Sequence, residues 1–175
     1  MQQQIGRFAP VLLVFGALTL SGCGPQTDDP TNPPLLGNWT IDTRVSSIAV
    51  NNMNYSRDAF AANGGEDVLD SIESSEIKAC FEPAIKSDAD VVDSAEDRFG
   101  DCTLIDSSGN ASSRRASLTC EKGAQSLAVT IDGSMEEQSG RATFSVRQSE
   151  AKESGATETM SLRVNQNWAR TGDCA

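Results

Sequence analysis

The chain has 175 residues, with 14 Lys and Arg against 25 Asp and Glu, no His, and a net charge of −11. So acidic a surface repels phosphate backbones and anionic head groups, which excludes nucleic acid as a partner. The lack of His removes the commonest general base from any catalytic scheme.

The first predicted element is an export signal. Residues 8–20 (FAPVLLVFGALTL) are nearly all apolar, follow Arg7, and run into Leu20-Ser21-Gly22-Cys23, which is the layout of such a signal. At 1.5 Å per residue this run falls short of the roughly 30 Å of hydrocarbon in a bilayer, so a permanent transmembrane helix is not expected. Leu20, Ser21 and Gly22 ahead of Cys23 resemble a bacterial lipobox. The resemblance implies cleavage before Cys23, a diacylglycerol on its sulfur and usually an acyl group on its new amino terminus. Each buried methylene contributes about 0.8 kcal/mol, and stable anchoring needs more than one chain. An ordinary cleaved signal ending near Ala17, with Cys23 in a soluble product, is the alternative. By analogy with enteric lipoproteins, Gly24 after the acylated Cys, where Asp favours the inner membrane, points to the periplasmic face of the outer membrane.

Residues 24–36 hold four of the six prolines and read as a solvated tether. In polyproline form, at about 3.1 Å per residue, it would reach roughly 40 Å. The expected organisation is a signal over residues 1–22, the lipidated Cys23 and tether over 23–36, and one four-cysteine β domain over 37–175. Loss of the leader takes away Arg7 and no acid, making the mature chain more acidic still.

Within the domain, apolar and polar residues alternate with the period of half-buried strands. A first strand over 37–49 points Trp39, Ile41 and Thr43 inward. Residues 51–65, crowded with Asn and Gly, read as a loose segment with one helical turn at 56–62. A second strand is placed at 69–80, with Ile72 and Ile77 in the core. Val91, Ala95 and Phe99 recur every four residues, beside Val92, and form the apolar stripe of one helix. Ser87 with Asp90 resembles a capping box, Asp88 and Asp90 suit the positive end of the dipole, and Gly100 suits the left-handed stop. Five further strands follow at 102–106, 113–120, 125–132, 141–148 and 157–169. Their inward triplets are Leu127/Val129/Ile131, Ala142/Phe144/Val146 and Met160/Leu162/Val164. Ser108-Gly109-Asn110 and Asp132-Gly133-Ser134 are assigned to turns. The expected fold is mainly β: a single antiparallel β-meander curled into a half-barrel or barrel-like sheet, with one short helix between strands two and three. Trp39 and Trp168 would close the core between first and last strands.

Cys80, Cys102, Cys120 and Cys174 are an even set in an exported chain, which favours two disulfides. A four-thiolate zinc site normally shows a close C-x2-4-C pair, absent here, and a reactive thiol would lack an activating His. If the strands alternate up and down, Cys102 and Cys120 lie at one end of the sheet and Cys80 and Cys174 at the other. That geometry favours Cys102 with Cys120, a loop worth about 3 kcal/mol, and Cys80 with Cys174, worth between about 4 and 5 kcal/mol. The pairing of Cys80 with Cys102 and Cys120 with Cys174 remains open beside it.

Gly37-Asn38-Trp39-Thr40 near the start, Cys80 followed by Pro83, Gly100-Asp101-Cys102, Cys120 and a closing Gly172-Asp173-Cys174 resemble the domain-of-unknown-function family 3617. The likeness covers residues 36–174 and implies a small exported bacterial protein with four cysteines and no established activity. Glu82-Pro83-Ala84 stands where the family usually has Thr-Pro-Glu, and Arg170-Thr171 where it usually has Arg-Leu. The resemblance carries over no functional residue.

Candidate chemistry is sparse. Ser75-Glu76-Ile77-Lys78 fits S-x-x-K, but the companion motifs of penicillin-interacting enzymes are missing and the chain is too short for that fold. Glu136 with Glu137, and Asp93 with Glu96 and Asp97, are solvated carboxylates. Asp88, Asp90, Asp93, Glu96, Asp97 and Asp101 offer hard oxygen ligands without the D-x-D-x-D-G order of a calcium loop, so no metal is assigned. Arg114 and Arg115, adjacent on a strand, face opposite sides and make no joint anion site. Asn-x-Ser/Thr triplets begin at Asn38, Asn54 and Asn110, and carry no meaning in a bacterial lipoprotein. The expectation is a non-enzymatic, lipid-anchored envelope protein, without cofactor, that binds a small apolar ligand or an envelope partner. The alternative is a purely structural or interaction module, and a hydrolase stands behind both.

Overall fold

The computed structural model describes residues 34–83, 87–110, 112–123, 125–152 and 155–174. The export signal, Cys23 and residues 24–33 of the tether lie outside the described residues.

Strand β1 (Gly37–Val50) sets the frame. Trp39, Ile41 and Thr43 are buried as their alternation demands, yet further along the buried residues are Ile48 and Val50, of the other parity. A β-bulge accounts for the change: Val45 pairs with Val164 and Ser47 with Arg163, leaving Ser46 as the extra residue. One added residue flips the inward set, and both halves of a long strand can then face one core.

A tight hairpin leads from β1 into β2 (Met53–Tyr55), with Ile48 opposite Tyr55. Asn51 and Asn52 supply positive φ values of 49° and 65°, as a two-residue hairpin turn requires. Two short helices follow, α1 (Arg57–Phe60) and α2 (Glu66–Ile72), joined across Ala61–Gly65. The Ser56 hydroxyl accepts from the Ala59 N–H at 3.2 Å and caps α1. A Cβ on Gly65 would stand 2.2 Å from the Phe60 ring, so only glycine lets the two helices meet there.

The second strand begins later than its sequence suggests. Residues 66–72 are helical, burying Leu69 and Ile72 on one face, and β3 runs Ser74–Phe81. Leu69 and Ile72 are three apart, a helical and not a strand spacing. Ile77 stands 77 % exposed, because β3 is an edge strand lying along the first half of β1, with Thr40 opposite Ile77.

Helix α3 (Asp88–Phe99) buries Val91, Ala95 and Phe99 and stops at Gly100, whose φ is +91°. Then come β4 (Asp101–Asn110), β5 (Ser113–Lys122), β6 (Gln125–Met135), β7 (Ser139–Ala151) and β8 (Thr157–Gly172), each antiparallel to the one before. The predicted inward triplets fall on the core face. The assigned turns do not hold: Asp132-Gly133-Ser134 lies within β6, paired with residues of β5 and β7, and the chain reverses at residues 136–138. Cross-strand pairing of Asp132 with Arg115 keeps the ladder going where an Asp-Gly pair would often break it. Ser108 and Gly109 likewise remain in β4, and the reversal begins at Asn110, whose carboxamide oxygen accepts from the Ser112 and Ser113 N–H groups at 3.0 Å each.

The sheet order is β2-β1-β8-β7-β6-β5-β4, with β3 also on β1. It is therefore a single curled antiparallel sheet that does not close, since β3 and β4 do not pair. Beside α3, α1 falls at the helical turn expected over residues 56–62, and α2 is the added helix; α3, the longest, connects β3 to β4 and packs on β4 and β5. The main core gathers Ile48, Phe60, Leu69, Val91, Phe99, Leu118, Val129 and Leu162 with their neighbours. A second cluster unites Trp39, Ile41 and Trp168, with Phe81 stacked on Trp168 at 6.0 Å.

One charged contact supports the β1 bulge. Glu73, at the end of α2, accepts from the Val45 N–H at 3.2 Å and from Arg57 at 2.7 Å. The Arg57 hydrogen bond, helped by the Val45 N–H, holds the Glu73 carboxyl below the usual carboxylate range, against a smaller opposing effect of burial. A depressed folded value makes this stabilisation fully present above the unfolded pKa, about 4.3, and lost as pH falls through the lower folded value. Denaturation midpoints measured from pH 6 down to 2 should fall across that acid window, with a shallower fall in Glu73→Gln.

Candidate functional site

Two features gather the residues singled out in the sequence. The first is a clasp at the end of the sheet where β1 begins and β8 ends. The Asn38 side chain bridges both cysteine-bearing segments: its carbonyl oxygen accepts from the Cys80 N–H at 3.2 Å and its amide donates to the Asp173 carbonyl at 2.9 Å. Arg170 donates to the Leu36 carbonyl at 2.8 Å and pairs with Asp173. A Cβ on Gly37 would stand 2.4 Å from the Gly172 carbonyl oxygen, so the opening glycine is needed for close approach of first and last strands. The disulfide Cys80–Cys174, with Cα atoms 4.9 Å apart, locks the clasp. Cys80 itself adopts φ +48°, at a bulge of β3 opposite Asn38.

The second disulfide, Cys102–Cys120, joins directly opposed residues of β4 and β5. These are the pairs that an alternating strand layout favours. Both are structural staples, closing loops with sequence separations of 94 and 18.

The second feature is a cavity of about 70 Å³ beside Val91 of α3, at the end of the core where Trp168 lies. Its origin is a single cross-strand row. Arg114 on β5 stands opposite Gly133 on β6, Gly133 opposite Ala142 on β7, Ala142 opposite Gln166 on β8, and Gln166 opposite Thr43 on β1. Two small residues in the middle of that row leave the space that Val91, Ile131 and Phe144 border from neighbouring positions. The lining is predominantly apolar. At one end of the row Gln166 donates to the Thr43 hydroxyl at 3.1 Å, both residues being buried. At the other, Arg114 uses Nη1 to reach Asp88, the first residue of α3, at 2.6 Å and Ser107 at 3.2 Å.

Two N–H groups in this lining lack partners: Arg114 Nε and Trp168 Nε1. Leaving a buried donor unmatched costs about 1–3 kcal/mol, so folded proteins rarely do so without a reason.

The remaining sequence candidates are scattered. Ser75 and Lys78 lie on β3 at positions of opposite parity, and Lys78 pairs with Glu76 at 3.2 Å. Asp88 is engaged by Arg114 and Ser107, and the Glu96 carboxylate accepts from the Cys102 N–H at 3.4 Å. Among the described residues no group of three or more metal-ligating side chains comes together. Arg115 faces away from Arg114, on Asp132. Glu136 accepts from Ser139 in the β6–β7 turn. The triplet asparagines are dispersed: Asn38 in the clasp, Asn54 on exposed β2 and Asn110 at the β4–β5 turn. The cavity row escaped the sequence reading because it depends on register across five strands; the only local signs were Gly133 and Ala142 at inward positions.

Exposure separates the two disulfides, for Cys80 is exposed whereas Cys120 is fully buried. Titration of the native protein with dithiothreitol, followed by alkylation and peptide mapping, should label Cys80 and Cys174 before Cys102 and Cys120.

No curated protein and no solved structure matches the chain in such comparisons. A family profile does match, over residues 31–174, and spans the clasp, both disulfides and every element of the sheet. With Gly37-Asn38-Trp39 and Gly172-Asp173-Cys174 brought together in one clasp, the chain belongs to the family described as Protein of unknown function (DUF3617).

Proposed function

We propose that this is a lipid-anchored bacterial envelope protein, held to the membrane through Cys23, that binds a small apolar ligand in the mouth of its curled sheet without transforming it. The observation that carries the binding role is the apolar cavity built by the Gly133–Ala142 row and bordered by Val91 of α3. Small-molecule sites are concave, mostly apolar and furnished with a few polar groups, and this one has that make-up. The two disulfides fit an oxidising compartment, and the lipobox at residues 20–23 supplies the anchor. The absence of His and the use of four cysteines in disulfides weigh against covalent or acid–base catalysis.

Native mass spectrometry of the protein extracted from membranes tests the proposal as a whole. The expected species begins at acylated Cys23, lacks four thiol hydrogens, and carries a releasable small adduct that is lost in a cavity-filling Ala142→Leu variant of unchanged circular dichroism. An adduct-free chain, or one retaining residues 1–22 with reduced thiols, defeats it.

A further inference from the structure

The outer face of the sheet carries charge of the sign opposite to that of the whole chain. On β7 and β8, Arg147 stands opposite Ser161 and Ser145 opposite Arg163, so the two arginines lie diagonally across one strand pair on the face turned away from the core. Diagonal neighbours are about 7–8 Å apart, within joint reach of long side chains. Small residues surround them: Ala128 and Thr130 on β6 and Ser47 on β1, leaving a shallow concavity of about 370 Å³. Both arginines are exposed. Arg44, in the next row, shares their face opposite Asn165.

The two cations are unspent. Ion pairs engage Arg57, Lys78, Arg114, Arg115, Lys152 and Arg170, whereas among the described residues neither Arg147 nor Arg163 meets a carboxylate or donates a side-chain hydrogen bond. Outward carboxylates are scarce on β1, β8, β7 and β6: Asp132 is bound by Arg115, and Asp42 stands opposite Asn167, two rows from Arg163. The chain bears a net charge of −11, yet the exposed acids Asp93 and Glu96 sit on α3, which packs on the core side of the sheet. Packed layers stand about 10 Å apart, more than the Debye length of about 8 Å at physiological salt. Net charge governs approach from afar. At contact, an anionic surface laid on the outer face meets the arginines, with the acids behind it screened.

The root of the tether points to the partner. The Leu35 N–H donates to the Glu137 carbonyl in the β6–β7 turn at 3.2 Å, the Trp39 indole donates to the Leu35 carbonyl at 3.1 Å, and Arg170 of β8 holds the Leu36 carbonyl. The tether thus joins the domain at the strands whose outer face bears the arginines. Residues 24–33 bridge Cys23 to Pro34 over about 34 Å at 3.1 Å per residue, so a lipid on Cys23 keeps that face close to the headgroups. Resting on the lipid anchor proposed above, we infer that the domain lies on its own membrane through the outer face of β7 and β8, with Arg147 and Arg163 receiving the phosphate groups of anionic headgroups. The planar guanidinium fork matches phosphate oxygens, and tethering supplies the high local concentration that lets a few surface contacts suffice.

Arginine footprinting tests this on the full acylated protein, held in nanodiscs of phosphatidylcholine alone or mixed with phosphatidylglycerol, labelled with phenylglyoxal and read by peptide mass. Each cation near an anionic leaflet is worth about a fivefold bias, and two about 25-fold. Arg147 and Arg163 should therefore be labelled about 25-fold more slowly in the anionic discs, with the protection lost in about 0.5 M NaCl. Arg57, on the core-side helix α1, is the control of unchanged rate. Arg163→Gln, a change at an exposed position, should leave Arg147 only about fivefold protected; the wild-type rates decide alone should that variant not fold. Equal labelling in the two kinds of disc, with the chain retained in both, overturns the docking and leaves the anchor standing. Equal protection by inorganic phosphate without discs overturns the headgroup as its source. A chain that salt washes from neutral discs brings down the anchor and the docking together.

Discussion

The antiparallel pairing of β1 with β8 holds the architecture together. It runs from Asn38 opposite Gly172 to Val50 opposite Met160 and carries β2 and β3 with it, since both attach to β1 and to no other strand of the sheet. Without it the molecule would be a five-stranded meander beside a separate N-terminal fragment. The pairing is secured at one end by Asn38, Arg170 and Cys80–Cys174, and eased in the middle by the bulge at Ser46. That bulge turns both halves of β1 towards one interior, so Trp39 and Val50 are buried on the same side. Each buried aliphatic side chain contributes roughly 1.5–3 kcal/mol, and the parity change lets β1 contribute at both ends.

The open seam between β3 and β4 gives the sheet its half-barrel form. A fully closed barrel of this strand number has an interior that its own side chains fill or that holds one small ligand. Here α3 covers the core near the seam, burying Val91, Ala95 and Phe99, and an ion pair from its first residue, Asp88, to Arg114 ties it to the sheet. The space beside Val91 exists because glycine and alanine occupy the centre of a row whose ends are polar. The same row thus unites a void, a satisfied Gln166–Thr43 pair and a guanidinium with a donor to spare.

Much of the fold was legible in the residues. Strong alternation placed β1, β6, β7 and β8 and their inward triplets; a four-residue stripe ending in Gly100 placed α3; and the alternation of strand directions favoured the observed cysteine pairs. The misreadings have local causes. Leu69 and Ile72 belong to a seven-residue helix of about two turns, which offers only one helical spacing of buried residues to read, and Ile77 is 77 % exposed because it lies on an edge strand. Asp132-Gly133 has the chemistry of a turn, but Arg115 across the strand draws Asp132 into the ladder. Asn51-Asn52 has the composition of a loose stretch, yet both residues tolerate the left-handed region and form a tight hairpin. The cavity needed the alignment of five strands at once, information that no window of the sequence contains.

The union of first and last strands also orders events in time. Asn38 and Asp173, joined by a hydrogen bond, are separated by 135 residues, so a chain emerging amino end first presents β1 long before its principal partner exists. Until β8 arrives, one flank of β1 is an unpaired strand edge, the kind of surface that recruits foreign strands. The hairpin to β2 and the return of β3 shelter only its other flank. Assembly is therefore completed by the final sixteen-residue strand, and a chain cut short before it would leave β1 and β7 each with a bare edge.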